Sequence, residues 1–435
     1  MEHGSLGTMN APEEEIGTVL NCQIIRGPYL QQGTESSIVI RWATDTPVLG
    51  RVWYGTAVNR LFVTLEETAA TSDHKVELRG LTPNKKYYYA VGTSASIQVG
   101  RTEDYCFVTA PAKDPTLERV WPTRIWVVGD SGRANDVATR VRDGYLKFTG
   151  SRYTNLWLML GDNAYDTGTF EEYQRGVFDT YPELLRSSVL WPAMGNHDAG
   201  SASSLLQKGP YYELFTLPAW GEAGGVASGT AAYYSFNYSN IHFICLDSHG
   251  SDRSTNGAMF TWLAQDATTA DQDWTIAFWH HPPYTKGSHD SDIELELVEM
   301  RERALPILED AGVDLVLGGH SHAYERSYLI NGHYGTSDSF ASAMKKDSGS
   351  GREGESGPYE KPHATPRAGT VYIVAGTSAL ADHVSPHAAM YTSLSTPGSL
   401  VLDVQGLRLD VTFINDQGEV QDYFTLKKTI VGAAT

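Results

Sequence analysis

The sequence predicts an α/β layered domain with a mixed sheet, preceded by a small all-β sandwich. Three observations carry this. Up to residue 110, short strand-like segments alternate with turns and no helical period appears. The stretch APAKDPTLERVWPT then brings three prolines, the punctuation of a linker. Beyond it, apolar runs that end in a polar residue alternate with segments of helical spacing, the grammar of an α/β fold with largely parallel, doubly covered strands. At 435 residues the chain is also too long for one ordinary domain.

Taken in order, residues 1–22 read as a tail or leader without an apolar segment. Residues 23–110 hold the strands SSIVIRWAT, GRVWYG, HKVELRG, KKYYYAVG and YCFVTA. Tyr87 to Tyr89 alternate across one of these strands and are expected to pack the sandwich core. Residues 111–122 are the linker. In 123–435 the expected strands are RIWVVGD, NLWLMLGD, VLWPAMGN, IHFICLD, WTIAFWHH, DLVLGGH and TVYIVAG. The expected helices are NDVATRVRDGYLKF, FEEYQRGVFDTYPELL, MFTWLAQDA and IELELVEMRERALPILEDA. YYSFNYSNIHFICLD reads as a hairpin, which makes the sheet mixed. The alternation of SLVLDVQGLRLDVTFINDQGEVQDYFTL about Gly406 and Gly418 predicts antiparallel strands. Residues 331–368, rich in Gly, Ser and charge, read as a long irregular insertion with His333 and His363 exposed in it.

Composition excludes several functions. A net charge of −19, from 33 basic and 52 acidic residues, leaves no basic stripe to neutralise nucleic-acid phosphates. An anionic substrate then needs a local positive site such as bound cations. No apolar run reaches a membrane-spanning length. The three cysteines are too few for a disulfide scaffold and too scattered for a thiolate metal site. Cys245 is expected to be a buried thiol; a Cys22–Cys106 pair stays open.

The chemistry gathers at strand ends. In α/β sheets, ligand groups collect beyond the carboxyl ends of strands. Those ends carry Asp130 in GDSG, Asp162 and Tyr165 in GDNAY, Asn196, His197 and Asp198 in GNHD, His280 and His281 in HHPPY, and His320 and His322 in GHSHAYER. Singly, most of these motifs are also ordinary turns. Five in order along one α/β domain point to a shared purpose. The donors are carboxylate, imidazole, amide and phenol, without thiolate, which suits iron, zinc or manganese. They outnumber the needs of one tetrahedral zinc and suit two metals clamping a phosphoryl group.

This ordered set resembles the metallophosphoesterases, and within them the purple acid phosphatases, with Tyr165 carrying the narrower resemblance. GPYLQ, IRWATDTP, RVWYG and LRGLTPNKKYYYAVG resemble the fibronectin type III-like domain that precedes the catalytic domain in plant-type and many bacterial members. The resemblance implies a four-layer α-β-β-α sandwich behind that domain. It also implies an acid phosphatase acting on small phosphomonoesters, with diesters or nucleotides as alternatives. Asp130, Tyr165 and His322 would hold Fe(III); Asn196, His280 and His320 would hold a divalent Zn, Mn or Fe; Asp162 would bridge them. A hydroxide held at the metals would attack phosphorus in line. His197 and, nine residues after His280, His289 would bind substrate and help protonate the leaving group. His281 makes His280 an ambiguous choice of ligand, and Asp198 reads as support for its neighbours. The resemblance further implies a secreted or periplasmic protein, monomeric or homodimeric, with no nucleic-acid or membrane partner. A non-catalytic iron-binding adhesion protein is the other class, disfavoured because all seven ligands are present.

Overall fold

A computed structural model describes residues 22–114 and 121–430 of the chain. The expected leader, apart from Cys22, and the middle of the expected linker lie outside the described residues.

The N-terminal part is a two-sheet β-sandwich. One sheet has three strands, Ile24–Gln31, Ser37–Val48 and Thr71–Arg79. The other has five: Val63–Glu66, Gly50–Gly55, Lys86–Thr93 and Ile97–Gly100 in order, with Cys106–Val108 also paired to Lys86–Thr93. Tyr87 and Tyr89 are buried in the core, as their alternation predicts. The sandwich is fastened to the rest of the chain by buried polar contacts. Arg41 donates to the carbonyls of Glu213 and Leu214 at 2.7 and 2.8 Å, and Tyr29 donates to the same Leu214 carbonyl at 2.8 Å. These are carbonyls at the end of the short helix Pro210–Leu214, which has orphan acceptors to satisfy.

The remainder is four layers thick. Two seven-stranded mixed sheets face each other. The first runs Val189–Pro192, Leu156–Met159, Thr123–Val128, Gly398–Gln405, Arg408–Asn415, Val420–Thr429, Tyr359–Pro362. The second runs Tyr234–Tyr238, Ile241–Cys245, Trp274–Trp279, Leu315–Gly318, Val371–Ala375, Tyr324–Ser327, Met390–Leu394. Aromatic side chains from the two inner faces interlock: Trp191 stacks on Phe236 at 3.7 Å between centroids, and Tyr324 on Phe413 at 4.0 Å. Helix Asp136–Thr149 covers the first sheet, with Tyr145 stacked on Trp126 at 4.6 Å. Helices Ala258–Thr269 and Leu305–Asp310 cover the second. The expected hairpin and the antiparallel C-terminal strands are present.

Two expected helices are broken. FEEYQRGVFDTYPELL forms a four-residue helix, a π turn over Gln174–Phe178 and a second short helix, Pro182–Leu185. Pro182 has no N–H and turns Tyr181 away from helical geometry. In the last expected helix a π turn over Met300–Ala304 precedes Leu305–Asp310, where Pro306 cannot donate to Glu302. The insertion 331–368 is less irregular than its composition suggests. It contributes Lys345–Asp347 and Tyr359–Pro362, the latter extending the first sheet by parallel pairing with Val420–Thr429. His333 is buried rather than exposed, stacked on Tyr284 at 5.2 Å. All three cysteines are free, so Cys22 and Cys106 do not pair.

Candidate metal centre

Strands Thr123–Val128, Leu156–Met159 and Val189–Pro192 run parallel side by side in the first sheet. Trp274–Trp279 and Leu315–Gly318 do so in the second. Asp130, Asp162, Asn196, His280 and His320 follow the carboxyl ends of these five strands, so the site lies where the two sheets' ends meet. Asp130, Asp162 and His320 all have positive φ, 55°, 53° and 66°, a conformation that costs a non-glycine residue energy and clusters at functional sites. Glycines beside them make the convergence possible. A Cβ on Gly319 would stand 2.6 Å from Asp130 Oδ2, and one on Gly195 would stand 2.2 Å from Asp162 Oδ1.

The structure brings all nine predicted residues together. Asp130 Oδ2 accepts from the His320 amide at 2.8 Å and its Oδ1 from the Tyr165 hydroxyl at 3.2 Å. His322 Nε2 is 3.8 Å from the same Oδ1. Asp162 Oδ1 accepts from the His197 amide at 2.9 Å and lies 3.4 Å from His280 Nε2. His280 Nδ1 donates to the Leu160 carbonyl at 2.9 Å, which turns Nε2 toward Asn196 Oδ1 at 2.9 Å and His320 Nδ1 at 3.2 Å. His289 stacks on His320 with centroids 3.6 Å apart.

The partners of the outer ring nitrogens fix each imidazole. His322 Nδ1 lies 2.8 Å from Asp382 Oδ2, and His289 Nδ1 2.8 Å from Glu294 Oε2. His197 Nδ1 donates to the Asp166 carbonyl at 2.6 Å, which turns Nε2 toward the centre, 3.9 Å from Asp162 Oδ2, on a part-exposed ring that leans on Tyr165. Asp198 is turned away from the centre. It accepts from the Gly195 amide at 2.7 Å, from the amide and side chain of Asn163 and from Tyr173, and so braces the turn that presents Asn196 and His197. His281 is buried beside the centre, its Nδ1 2.9 Å from Ser248 Oγ and its ring 4.3 Å from that of His320.

The electrostatics ask for a cation. Burial and the charge of Asp162 push the Asp130 carboxyl up. Burial works the same way on Asp162, but His280 and His197 outweigh it and hold that carboxyl down. Burial and both aspartates push the Tyr165 hydroxyl far up. His280 is raised to about 9 because Asp162 and Asp130 overcome its burial. Two buried carboxylates, a phenol, an amide oxygen and inward-facing imidazole nitrogens form an oxygen- and nitrogen-rich cage that a multivalent cation satisfies. The donor set therefore fits metal. Asp130, Asp162 and His280 offer ligand atoms within 4.8 Å of one another, as do His280, His281 and His320, and His289, Glu294 and His320.

Sequence reasoning missed Glu294 and Asp382. Glu294 stands at the start of the expected helix IELELVEMRERALPILEDA, where one acidic residue among several gives no sign of a role, and it is the N-cap of the helix Leu295–Glu299. Asp382 is distant in sequence, and only the fold brings it to His322.

Comparison with known proteins agrees. The calcineurin-like phosphoesterase family profile matches residues 123–324, and the purple acid phosphatase N-terminal domain profile matches residues 27–109. "Purple acid phosphatase 23" of Arabidopsis thaliana is 28% identical over 355 residues, covering 69% of this chain and 74% of that protein. "Purple acid phosphatase 15" of the same plant is 30% identical over 279 residues, covering 59% of this chain but only 50% of the relative. In fold, the purple acid phosphatase PPD1 from yellow lupin seeds superposes with a TM-score of 0.69 at 16% identity, over 93% of this chain and 75% of that one. The PhoD structure superposes with a TM-score of 0.62 at 14% identity, over 94% and 93%. On the strength of the two profiles, the relatives and the shared architecture, the chain is an enzyme of the purple acid phosphatase family within the calcineurin-like phosphoesterases.

Proposed function

We propose that the protein hydrolyses phosphate monoesters at a dinuclear metal centre. One metal, iron(III), is held by Asp130, Tyr165 and His322. The other, a divalent zinc, manganese or iron, is held by Asn196, His280 and His320. Asp162 would serve as a ligand to both. The observation that carries this reading is the convergence of these seven donors at the ends of five strands from two sheets. The phenol and carboxylates suit a trivalent ion, and the neutral amide and imidazoles a divalent one. Bound there, the metals supply Lewis acidity and a nucleophile at moderate pH.

The chain's own groups do the rest. His197 Nδ1 is committed to the Asp166 carbonyl, so its Nε2 is the nitrogen that delivers a proton to the leaving oxygen. His289, oriented by Glu294 and laid against His320, binds a phosphoryl oxygen. Asp382 fixes the tautomer and angle of His322, as carboxylate partners of metal-binding histidines do. The N-terminal sandwich carries none of these groups and supports the catalytic part through Arg41 and Tyr29. No helix among the described residues is long and apolar enough to cross a membrane, and we place the protein outside the cytoplasm, secreted or periplasmic.

The test is a panel of phosphate mono- and diesters assayed with metal-reconstituted protein. The reading expects hydrolysis of monoesters that is lost on chelation and restored by iron plus a divalent metal. Hydrolysis that survives complete metal removal would refute it.

A further inference from the structure

Beside the metal centre, sharing Tyr165 as a wall, is a groove of about 240 Å³ lined by Gly132, Arg133, Ala134, Asp166, Glu172 and Arg175. Arg133 follows GDSG directly and holds its guanidinium 4.3 Å from the centroid of the Tyr165 ring. Arg175 rises from the π turn Gln174–Phe178. Both are exposed, and neither has a carboxylate partner among the described residues. The groove also holds two carboxylates. That of Glu172 is committed to its own loop, accepting from the amides of Asp166, Thr167 and Thr169 at 2.6, 3.1 and 2.9 Å. That of Asp166 is the only one left to offset two guanidinium groups. In a chain of net charge −19, two unpaired arginines at the lip of the catalytic centre form a local positive site in a field that otherwise repels anions. The guanidinium fork matches phosphate oxygens and is weakly hydrated, so it binds a partly exposed phosphate better than an ammonium does.

We propose that this groove is a subsite for a second phosphoryl group, so that substrates whose scissile phosphoryl group is joined to a second one by a phosphoanhydride bond, such as nucleoside diphosphates, are preferred over simple monoesters. The inference rests on the phosphohydrolase reading: the scissile phosphate occupies the metal centre, and its neighbour reaches past the Tyr165 ring to Arg133 and Arg175.

The test compares kcat/KM of the metal-loaded full chain and of Arg133→Gln, Arg175→Gln and the double variant. The substrates are adenosine 5′-diphosphate, adenosine 5′-monophosphate and para-nitrophenyl phosphate. Exposed charge contacts are individually modest. The double variant is therefore expected to lose about tenfold on the diphosphate, mostly through KM, and less than about twofold on the monophosphates. The parent's preference for the diphosphate should shrink as salt rises, and Arg175→Gln, which does not touch the Tyr165 ring, should keep the parent's metal content. Equal losses on all three substrates, or no loss on the diphosphate, overturn the subsite while leaving the hydrolase reading intact. A parent enzyme inactive on all three overturns the hydrolase reading and the subsite with it.

Discussion

Replacing Gly195 with alanine adds one methyl group at the most crowded point of the centre. Gly195 does not have a positive φ, so the substitution brings no backbone strain and its effect is purely steric. The new Cβ would stand 2.2 Å from Asp162 Oδ1 and 2.3 Å from the Asp162 amide nitrogen. Nonbonded heavy atoms settle at about 3.5 Å, so something must move by roughly 1 Å. Asp162 lies beyond the end of the strand Leu156–Met159, and its amide is as close as its carboxylate, so the turn that carries it must shift and take the carboxylate with it. Overpacking of this kind costs about 1–3 kcal/mol. Here the displaced group is the carboxylate between the two proposed metals. At about 1.4 kcal/mol per factor of ten, metal affinity should fall about 10- to 100-fold. The assay is metal titration of the apo protein followed by kcat/KM on an aryl phosphate. Gly354→Ala is the control, because a Cβ there meets nothing within 4 Å and it should be silent. If Gly195→Ala bound metal with the parent's affinity and kept its activity, the argument that Asp162 is a tightly confined ligand would be wrong.

Other predictions follow from single contacts. His197→Ala should lower kcat on alkyl phosphates by about 10²–10⁴ with both metals retained, and should matter less for aryl phosphates, whose leaving groups need no proton; equal losses on both would remove His197 as the acid. Arg41→Ala leaves the Glu213 carbonyl without its donor, leaves Tyr29 as the remaining donor to the Leu214 carbonyl, and should cost about 2–4 kcal/mol in a denaturant titration, from two lost charge-assisted bonds. Asp422 is buried and binds Arg326 at 2.6 Å and Arg352 at 2.8 Å; its burial is outweighed by these arginines, so its pKa is lowered. A lowered carboxyl pKa contributes stability that is complete above the unfolded value near about 4 and lost as pH falls through the folded one. Asp422→Asn should therefore cost about 3–5 kcal/mol at pH 7, with the gap to the parent closing in strong acid; a gap independent of pH would contradict the ion-pair account.

The strand ends were legible because each rests on a local pattern: a buried apolar run that ends in a polar residue, with a glycine between them at all but His280. That pattern is enough to find Asp130, Asp162, Asn196, His280 and His320, and the parallel pairing of their strands brings them together. Tyr165 and His322 were reachable because each lies within three residues of such an end. Glu294 and Asp382 were not, since their roles depend on how two loops fold over the centre. The burial of His333 was missed for the same reason, because a polar, glycine-rich insertion gives no sign that Tyr284 will cover it. The π turns escaped because helical periodicity survives one widened turn, and only Pro182 and Pro306 hinted at a break. The extra strand Tyr359–Pro362 depends on pairing with Val420–Thr429, about sixty residues away in sequence.

The central claim is that seven residues hold two metal ions per chain, one of them iron bound through Tyr165. Metal stoichiometry by elemental analysis of active protein, read together with its visible spectrum, tests it most directly. The account predicts two metals per chain with iron among them, a phenolate charge-transfer band that disappears in Tyr165→Phe while the fold is kept, and loss of a metal in His320→Ala. A fully active, colourless protein containing one metal per chain, or none, would contradict it.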